Sequence, residues 1–164
     1  MSIDISVHKK PYKNGILLAA TRNSAFTLGA MIANITDVMS AEVDIFYIVH
    51  DGFSTSEIEA LNRVASGVKV KFISFTKDDF INKIKVYGEC KNILNSPFFS
   101  RWTHMAYGMF EPLLLLDECE RIIYLDFDIM LLRGISELFR LKGYCFAAHR
   151  GKSLLNPTLK GYEG

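Results

Sequence analysis

No hydrophobic run in this 164-residue chain approaches the ~20 residues needed to cross a bilayer, and Leu113 to Leu116 is far too short. An excess of one charge is also missing. Nineteen Lys and Arg stand against 18 Asp and Glu, for a net charge of +1, so no global field draws in nucleic acid or an anionic membrane. Cysteine is scarce. Cys90, Cys119 and Cys145 are odd in number, widely spaced and form no Cys-x-x-Cys, which argues against a disulfide framework and a thiolate metal site. A reducing, cytoplasmic setting follows, either free or peripheral to the membrane. Met1 to Gly15 carries Lys9, Lys10 and Lys13 and lacks the apolar centre of a signal peptide. Without an export signal, Asn34-Ile35-Thr36 matches a glycosylation acceptor only by chance.

Several catalytic signatures are missing as well. There is no Gly-x-Gly-x-x-Gly, no Gly-x-Ser-x-Gly and no His-Glu-x-x-His. Gly151-Lys152-Ser153 resembles the end of a phosphate-binding loop, but Phe146 occupies the required upstream glycine position. His8, His50, His104 and His149 are scattered, and a lone histidine is more often structural than a ligand. His50 and His149 keep some interest because each follows an expected strand.

What remains is 49% apolar and 23% charged, the balance of a soluble globular protein, and the length suits a single domain with a real core. Residues 1–14 read as a lead-in, broken by Pro11 and the Asn14-Gly15 pair. Ile16 to Ala20 is a first strand, Thr21 to Ser24 a polar turn, and Ala25 to Met39 a helix. Val43 to Val49 is a second strand. Ser54-Thr55-Ser56-Glu57 is a capping box that starts a helix running to about Ala65, closed by Gly67. Val68 to Ile73 partly alternates and suits a position near a sheet edge, and a short helix covers Asp78 to Ile84.

Tyr87 to Ser100 reads as a long loop, a kind of segment that is often functional. Ser100 to Leu116 is helical, with Pro112 either kinking it or starting a second segment. Trp102, Tyr107, Phe110 and the Leu113 to Leu116 run read as core, as do Phe98 and Phe99, while Lys69, Lys71, Lys83 and Lys85 read as solvated faces. After Arg133, a turn and short helix span Gly134 to Phe139, a short strand spans Tyr144 to Ala148, and residues 151–164 form a patternless tail. Strands alternate with helices almost throughout, so the fold class is α/β with a mostly parallel sheet, and residues 15–150 form one domain.

The stretch with the most chemistry is Arg121 to Arg133. Four apolar residues, Ile122 to Leu125, run into Asp126 and Asp128, separated by Phe127. The run reads as a buried parallel strand, and its acids would emerge at the edge where open α/β sheets bind ligands. In a regular strand Asp126 and Asp128 would share a face and could hold one hard cation, magnesium or manganese, with phosphate oxygens completing the shell. An Asp-x-Asp triplet alone is a weak signal. Here the apolar context strengthens it, because burying two acids is costly unless something pairs them.

Tyr124-Leu125-Asp126-Phe127-Asp128-Ile129, followed by Gly134-Ile135-Ser136-Glu137-Leu138-Phe139, resembles the metal-binding segment of glycosyltransferase family 8. These are retaining transferases of the A-type fold, and they include lipopolysaccharide galactosyl- and glucosyltransferases. Ile16 to Ala20 with Asn23 is similar to the family's first strand and nucleotide loop. Val49 to Ser54, Phe72-Ile73 with Asp79-Phe80, and Ala106-Tyr107-Gly108 leading into Leu113 to Leu116 follow in the family's order. The resemblance covers about residues 15–150.

The resemblance implies a Rossmann-like nucleotide-diphospho-sugar transferase fold. It implies that Asp126 and Asp128 bind a divalent ion, Mn2+ or Mg2+, which bridges the phosphates of a UDP-sugar and acts as a Lewis acid on the leaving diphosphate. Ala19, Thr21 and Asn23, with Phe127 between the acids, complete the implied donor site. The sugar would pass to a glycan or lipid-linked glycan acceptor with its configuration retained. Three departures stand out. Thr21 replaces the family's acid after Ala19-Ala20, and Arg22 follows it. Met109 replaces a basic residue beyond Tyr107. A later His-x-x-Gly-x-x-Lys-Pro-Trp motif, which supplies a third metal ligand, is missing.

The chain is therefore expected to be truncated relative to the family, its donor-binding portion. A non-catalytic nucleotide-sugar-binding remnant or module is the alternative. A nucleotidyltransferase on a related fold is disfavoured by the lack of a glycine-rich loop after the first strand. A sheet face left uncovered would offer a surface for self-association.

Overall fold

A computed structural model of the chain describes residues 9–86 and 103–142. Outside them lie His8, Cys90, Phe98, Phe99, Trp102, Cys145 and His149, the expected loop 87–100, the expected strand 144–148 and the tail 151–164. The elements run β1 (Tyr12–Ala20), α1 (Ala25–Met39), β2 (Ile45–His50), α2 (Thr55–Val64), β3 (Lys69–Ser74), α3 (Lys77–Val86), α4 (Pro112–Leu115) and β4 (Cys119–Asp126). Short 3-10 helices cover Arg22–Ser24, Ser40–Glu42, His104–Phe110 and Ser136–Arg140. No described helix is long and apolar enough to cross a membrane.

The four described strands form one parallel sheet in the order β3-β2-β1-β4. Burial follows that order. Every residue of β2 is buried, and β1 is buried from Gly15 to Ala20, whereas β3 and β4 are mostly half-buried or exposed. The alternation of Lys69 to Ile73 therefore marked an edge correctly. Ile122 to Leu125 differ from expectation. They are half-buried rather than buried, because among the described strands β4 has a neighbour on one side only.

Each face of the sheet has its own apolar layer. Ile16, Leu18, Phe46 and Ile48 point to one side and pack with Leu28, Ile32 and Ile35 of α1, Leu61 of α2, and Phe139. Leu17, Ala19, Tyr47 and Val49 point to the other, with Phe75, Phe80, Met105 and Leu115. This period-two sorting is what two consecutive runs of apolar residues produce when both faces are covered.

Local signals account for most boundaries. The capping box at α2 is complete: the Ser54 amide donates to Glu57 Oε2 at 2.7 Å, and the Glu57 amide donates to Ser54 Oγ at 3.3 Å. Pro112 starts α4 at its first turn, where a missing N–H costs nothing, so the second segment is the correct alternative. Of the residues expected in the core here, Leu115 is buried, but Phe110, Leu113 and Leu114 are exposed, because so short a helix turns only one side to the sheet. β1 begins at Tyr12, ahead of the Asn14-Gly15 pair that read as a breaker. The reason is pairing: the Lys13 and Asn14 amides both donate to Asp44 Oδ2 at 2.9 Å, and Tyr12 is in register with Cys119. Two lysines are not merely solvated. Lys71 pairs with Glu118 at 2.8 Å, and Lys83 pairs with the buried Glu111 at 2.6 Å.

Gly15 is needed for close approach. A Cβ there would lie 2.9 Å from Tyr47 Cε2 and 3.1 Å from Cys119 Sγ, both in the packed interior. Gly15→Ala is expected to destabilise the fold by about 1–3 kcal/mol, as overpacking does. Urea unfolding measures this, and an unchanged midpoint would show that β1 can shift to admit the methyl.

Candidate functional site

The strand order places the site. From β1 the chain moves outward through β2 to β3, then returns to add β4 on the other side of β1. Helices leading away from the two sides of such a reversal open a crevice at the carboxyl ends of the strands, and open α/β sheets bind ligands there. The reversal lies between β1 and β4. At its carboxyl edge Ala19 is in register with Asp126, and Ala20 with His50.

On the β1 side, the turn beyond Ala20 is held closely. The Ser24 amide donates to the Thr21 carbonyl at 2.9 Å, and the Thr21 and Ser24 hydroxyls hydrogen-bond to each other at 2.9 Å. The Arg22 amide donates to Asp51 Oδ1 at 2.6 Å, which ties this turn to the one after β2. The Asn23 side chain is exposed. Across the same edge, the 3-10 helix His104–Phe110 presses in through Gly108. A Cβ at that position would meet Ala19 Cβ at 3.2 Å and Val49 Cγ1 at 3.3 Å. Tyr107 beside it stacks on Phe80, with centroids 4.6 Å apart.

On the β4 side, the strand ends at Asp126, and Phe127 and Asp128 form a turn. Strand alternation therefore does not apply to Asp128, and the acids are not buried in an apolar run: both are exposed. What relates them is Tyr124. Its hydroxyl donates to Asp126 Oδ1 at 3.0 Å. Its phenol is pushed above the usual tyrosine range first by burial and then by the negative charge of Asp126, with a smaller contribution from Asp128. Both carboxylates therefore act on one hydroxyl. Phe127 turns the other way and packs against the α1-side core, which anchors the turn between the acids.

The segment beyond the acids is clamped to α1. Asn34 Nδ2 donates to the Leu131 carbonyl at 3.1 Å, and the Leu131 amide donates to Asn34 Oδ1 at 2.7 Å. Gly134 passes so near α1 that a Cβ would lie 3.2 Å from the Val38 carbonyl oxygen. Sequence reading missed both Tyr124 and Asn34. Tyr124 could have been found from its spacing, since positions two apart on a strand share a face. Asn34 could not, because its partner is 97 positions away.

The two histidines within the described residues are structural. His50 Nδ1 accepts the amides of Gly52 at 3.2 Å and Phe53 at 3.0 Å, and its ring stacks on Phe53 at 4.8 Å. Burial lowers its pKa below 6.5, against the opposing pull of Asp51. A proton on Nδ1 would forfeit both bonds, so its contribution to stability is present above pH 6.5 and is lost as the pH falls below that value. His104 Nε2 lies 3.0 Å from the buried Phe75 carbonyl.

Among the described residues, no group of three or more His, Cys, Asp or Glu side chains converges as a metal site. The donor chemistry of the pair still suits a hard cation. Both groups are carboxylates, both are open to solvent, and Asp126 Oδ2 has no hydrogen-bond partner among the described residues. Two clefts, of about 320 and 560 Å³, lie at the opposite, amino-terminal edge around Asn14, Asp44 and Gly67, away from these acids.

The model of glycosyl transferase family 8 matches residues 15–155. A crystal structure of an active-site mutant of LgtC is similar over 76% of this chain and 41% of that one, with 20% identity and a TM-score of 0.54. The galactosyltransferase LgtC in complex with donor and acceptor sugar analogues gives the same values. These likenesses establish the A-type glycosyltransferase fold. The mannosyltransferase Ktr4p from S. cerevisiae, solved with GDP, is a looser match at TM-score 0.48 and 12% identity over 71% of this chain and 34% of that one, and carries no weight here. The chain thus spans about two-fifths of the length of the LgtC structures. No curated protein matches it.

Asn34→Ala removes both partners of Leu131. The Leu131 amide is expected to exchange with solvent roughly tenfold faster, the effect of losing about 1.4 kcal/mol of hydrogen-bond protection. Hydrogen exchange followed by NMR checks this, and unchanged protection would mean that the segment is held by something else.

Proposed function

This chain belongs to glycosyl transferase family 8, and we propose that it binds a UDP-sugar through a divalent metal ion and transfers the sugar, with retention, to a glycan or lipooligosaccharide acceptor. The observation that carries this reading is the register of Ala19 with Asp126 at the strand-order reversal, which brings the turn after β1 and the acid pair to one crevice. The other site residues then have distinct tasks. Ala19, with its small side chain beneath Gly108, and the turn residues Thr21 and Asn23 lie against the uridine. Asp126 and Asp128 hold Mn2+ or Mg2+ by oxygen, and Phe127 keeps the turn between them seated on the core. When bound, the ion supplies Lewis-acid stabilisation of the departing diphosphate.

The site also differs from the family's usual donor contacts. With Thr21 in place of an acid, the hydroxyl already bonded to Ser24 offers the base a neutral contact. Asp126 and Asp128 alone would hold a divalent ion weakly, and the phosphate oxygens of a nucleotide would add the missing oxygen ligands, so metal and nucleotide are expected to bind together rather than separately.

A second reading, a donor-binding module without turnover, is favoured by one observation: no third ligand joins the two carboxylates among the described residues. The two readings share the donor site and differ in chemistry alone.

Calorimetry with UDP and UDP-sugars, with and without Mn2+, tests the shared claim. Binding should depend on the metal, and the Asp126→Ala/Asp128→Ala variant should bind at least about tenfold more weakly, since each charged contact contributes roughly 1.5–3 kcal/mol. Full binding by that variant, or binding indifferent to metal, would refute the donor site. Release of UDP from a UDP-sugar in the presence of mixed acceptors then separates a transferase from a binding module.

A further inference from the structure

We propose that Tyr124 is a positioning residue that presents Asp126 to the divalent ion. The inference rests on the reading of Asp126 as a metal ligand and identifies what fixes that ligand in place. Tyr124 and Asp126 are two residues apart on β4 and project from the same face of the sheet. The Tyr124 ring is half-buried against the cluster of Leu17, Tyr47 and Val49, so its hydroxyl has a fixed origin. From there it donates to Asp126 Oδ1 at 3.0 Å.

This bond has no substitute nearby. Asp126 is exposed at the last position of its strand, and the Tyr124 hydroxyl is its sole side-chain hydrogen-bond partner among the described residues. An exposed aspartate at a strand end turns freely about its side-chain torsions, and a metal that captures it must first stop that motion. A donor anchored in the core does this in advance. It occupies Oδ1 and leaves Oδ2 without a hydrogen-bond partner among the described residues. A neutral phenol orients the carboxylate without competing with the cation for the site, whereas a lysine or arginine in its place would compete. Partners that hold a ligating carboxylate commonly govern metal affinity this way, without touching the ion.

The test uses three versions of the full chain: wild type, Tyr124→Phe and Asp126→Ala/Asp128→Ala. Free Mn2+ is followed by electron paramagnetic resonance during titration in the presence of UDP, and the unfolding midpoint of each metal-free chain is measured alongside. Tyr124→Phe removes one oxygen and keeps the ring. It should weaken Mn2+ binding by about 10- to 100-fold with little change in the unfolding midpoint. A purely structural role gives the opposite pattern, a lowered midpoint with unchanged Mn2+ affinity, and overturns the proposal. Should Tyr124→Phe fail to fold, 13C relaxation of the carboxylate side chains in the metal-free wild type gives a second readout: Asp126 more rigid than Asp128 supports the proposal, and equal mobility of the two overturns it. If wild type and the Asp126→Ala/Asp128→Ala variant bind Mn2+ equally, the metal-ligand reading itself falls and takes this inference with it. If only Tyr124→Phe matches wild type, the inference alone falls.

Discussion

The constraint on which the structure depends is the parallel pairing of β1 with β4. The two strands are far apart in the chain, and their register sets Ala19 opposite Asp126 at the carboxyl edge. A slip of one residue would turn every side chain of β4 to the other face, moving Tyr124 and Asp126 to the α1 side and Leu125 and Phe127 away from it. Register is therefore strongly specified by the apolar layers. Ile123, Leu125 and Phe127 must meet the core of α1, while Ile122 and Tyr124 must meet the opposite one. The acid side chain at the strand end takes its direction from this sorting. Packing across the whole strand thus determines the placement of one carboxylate.

Around that pairing, three contacts fix the segments at the carboxyl edge of the sheet. Gly108 lets the 3-10 helix His104–Phe110 come within van der Waals contact of Ala19 and Val49. Asp51 holds the turn after β1 through the Arg22 amide. Asn34 and Gly134 seat the segment beyond the acids on α1. The same helix that starts at the turn after β1 thus also bears the segment that follows the acid pair. A rigid helix joining two parts of one site keeps them in step without any direct bond between them.

Much of this was legible in the sequence where a local rule decides the outcome. Helix α1 spans the expected Ala25 to Met39, because its apolar spacing has one consistent solution. The Ser54–Glu57 capping box is a reciprocal bond between residues three apart, and it formed. The partial alternation of Lys69 to Ile73 correctly marked an edge strand. Family motifs in their usual order pointed to glycosyltransferase family 8, and the family match and the fold agree with that assignment. The illegible features depend on distant partners. The early start of β1 at Tyr12 needs Asp44 and Cys119. The pairing of Lys83 needs Glu111, 28 positions on. Asn34 read as a chance glycosylation match because its partner, Leu131, is set by topology. The placement of Asp128 in a turn is a subtler case: nothing in the triplet says whether the strand ends at its first acid or its last.

The central claim is spatial: one crevice, at the carboxyl edge between β1 and β4, receives both metal and nucleotide. Paramagnetic broadening of backbone amide signals by Mn2+ in the presence of UDP reads this most directly, since the effect falls steeply with distance from the ion. The account predicts that amides of Ala20 to Asn23 and of Leu125 to Asp128 broaden together, while those of Lys13, Asp44 and Gly67 at the opposite edge stay sharp. Broadening centred on that opposite edge, or confined to one side of the β1–β4 crevice, would contradict it.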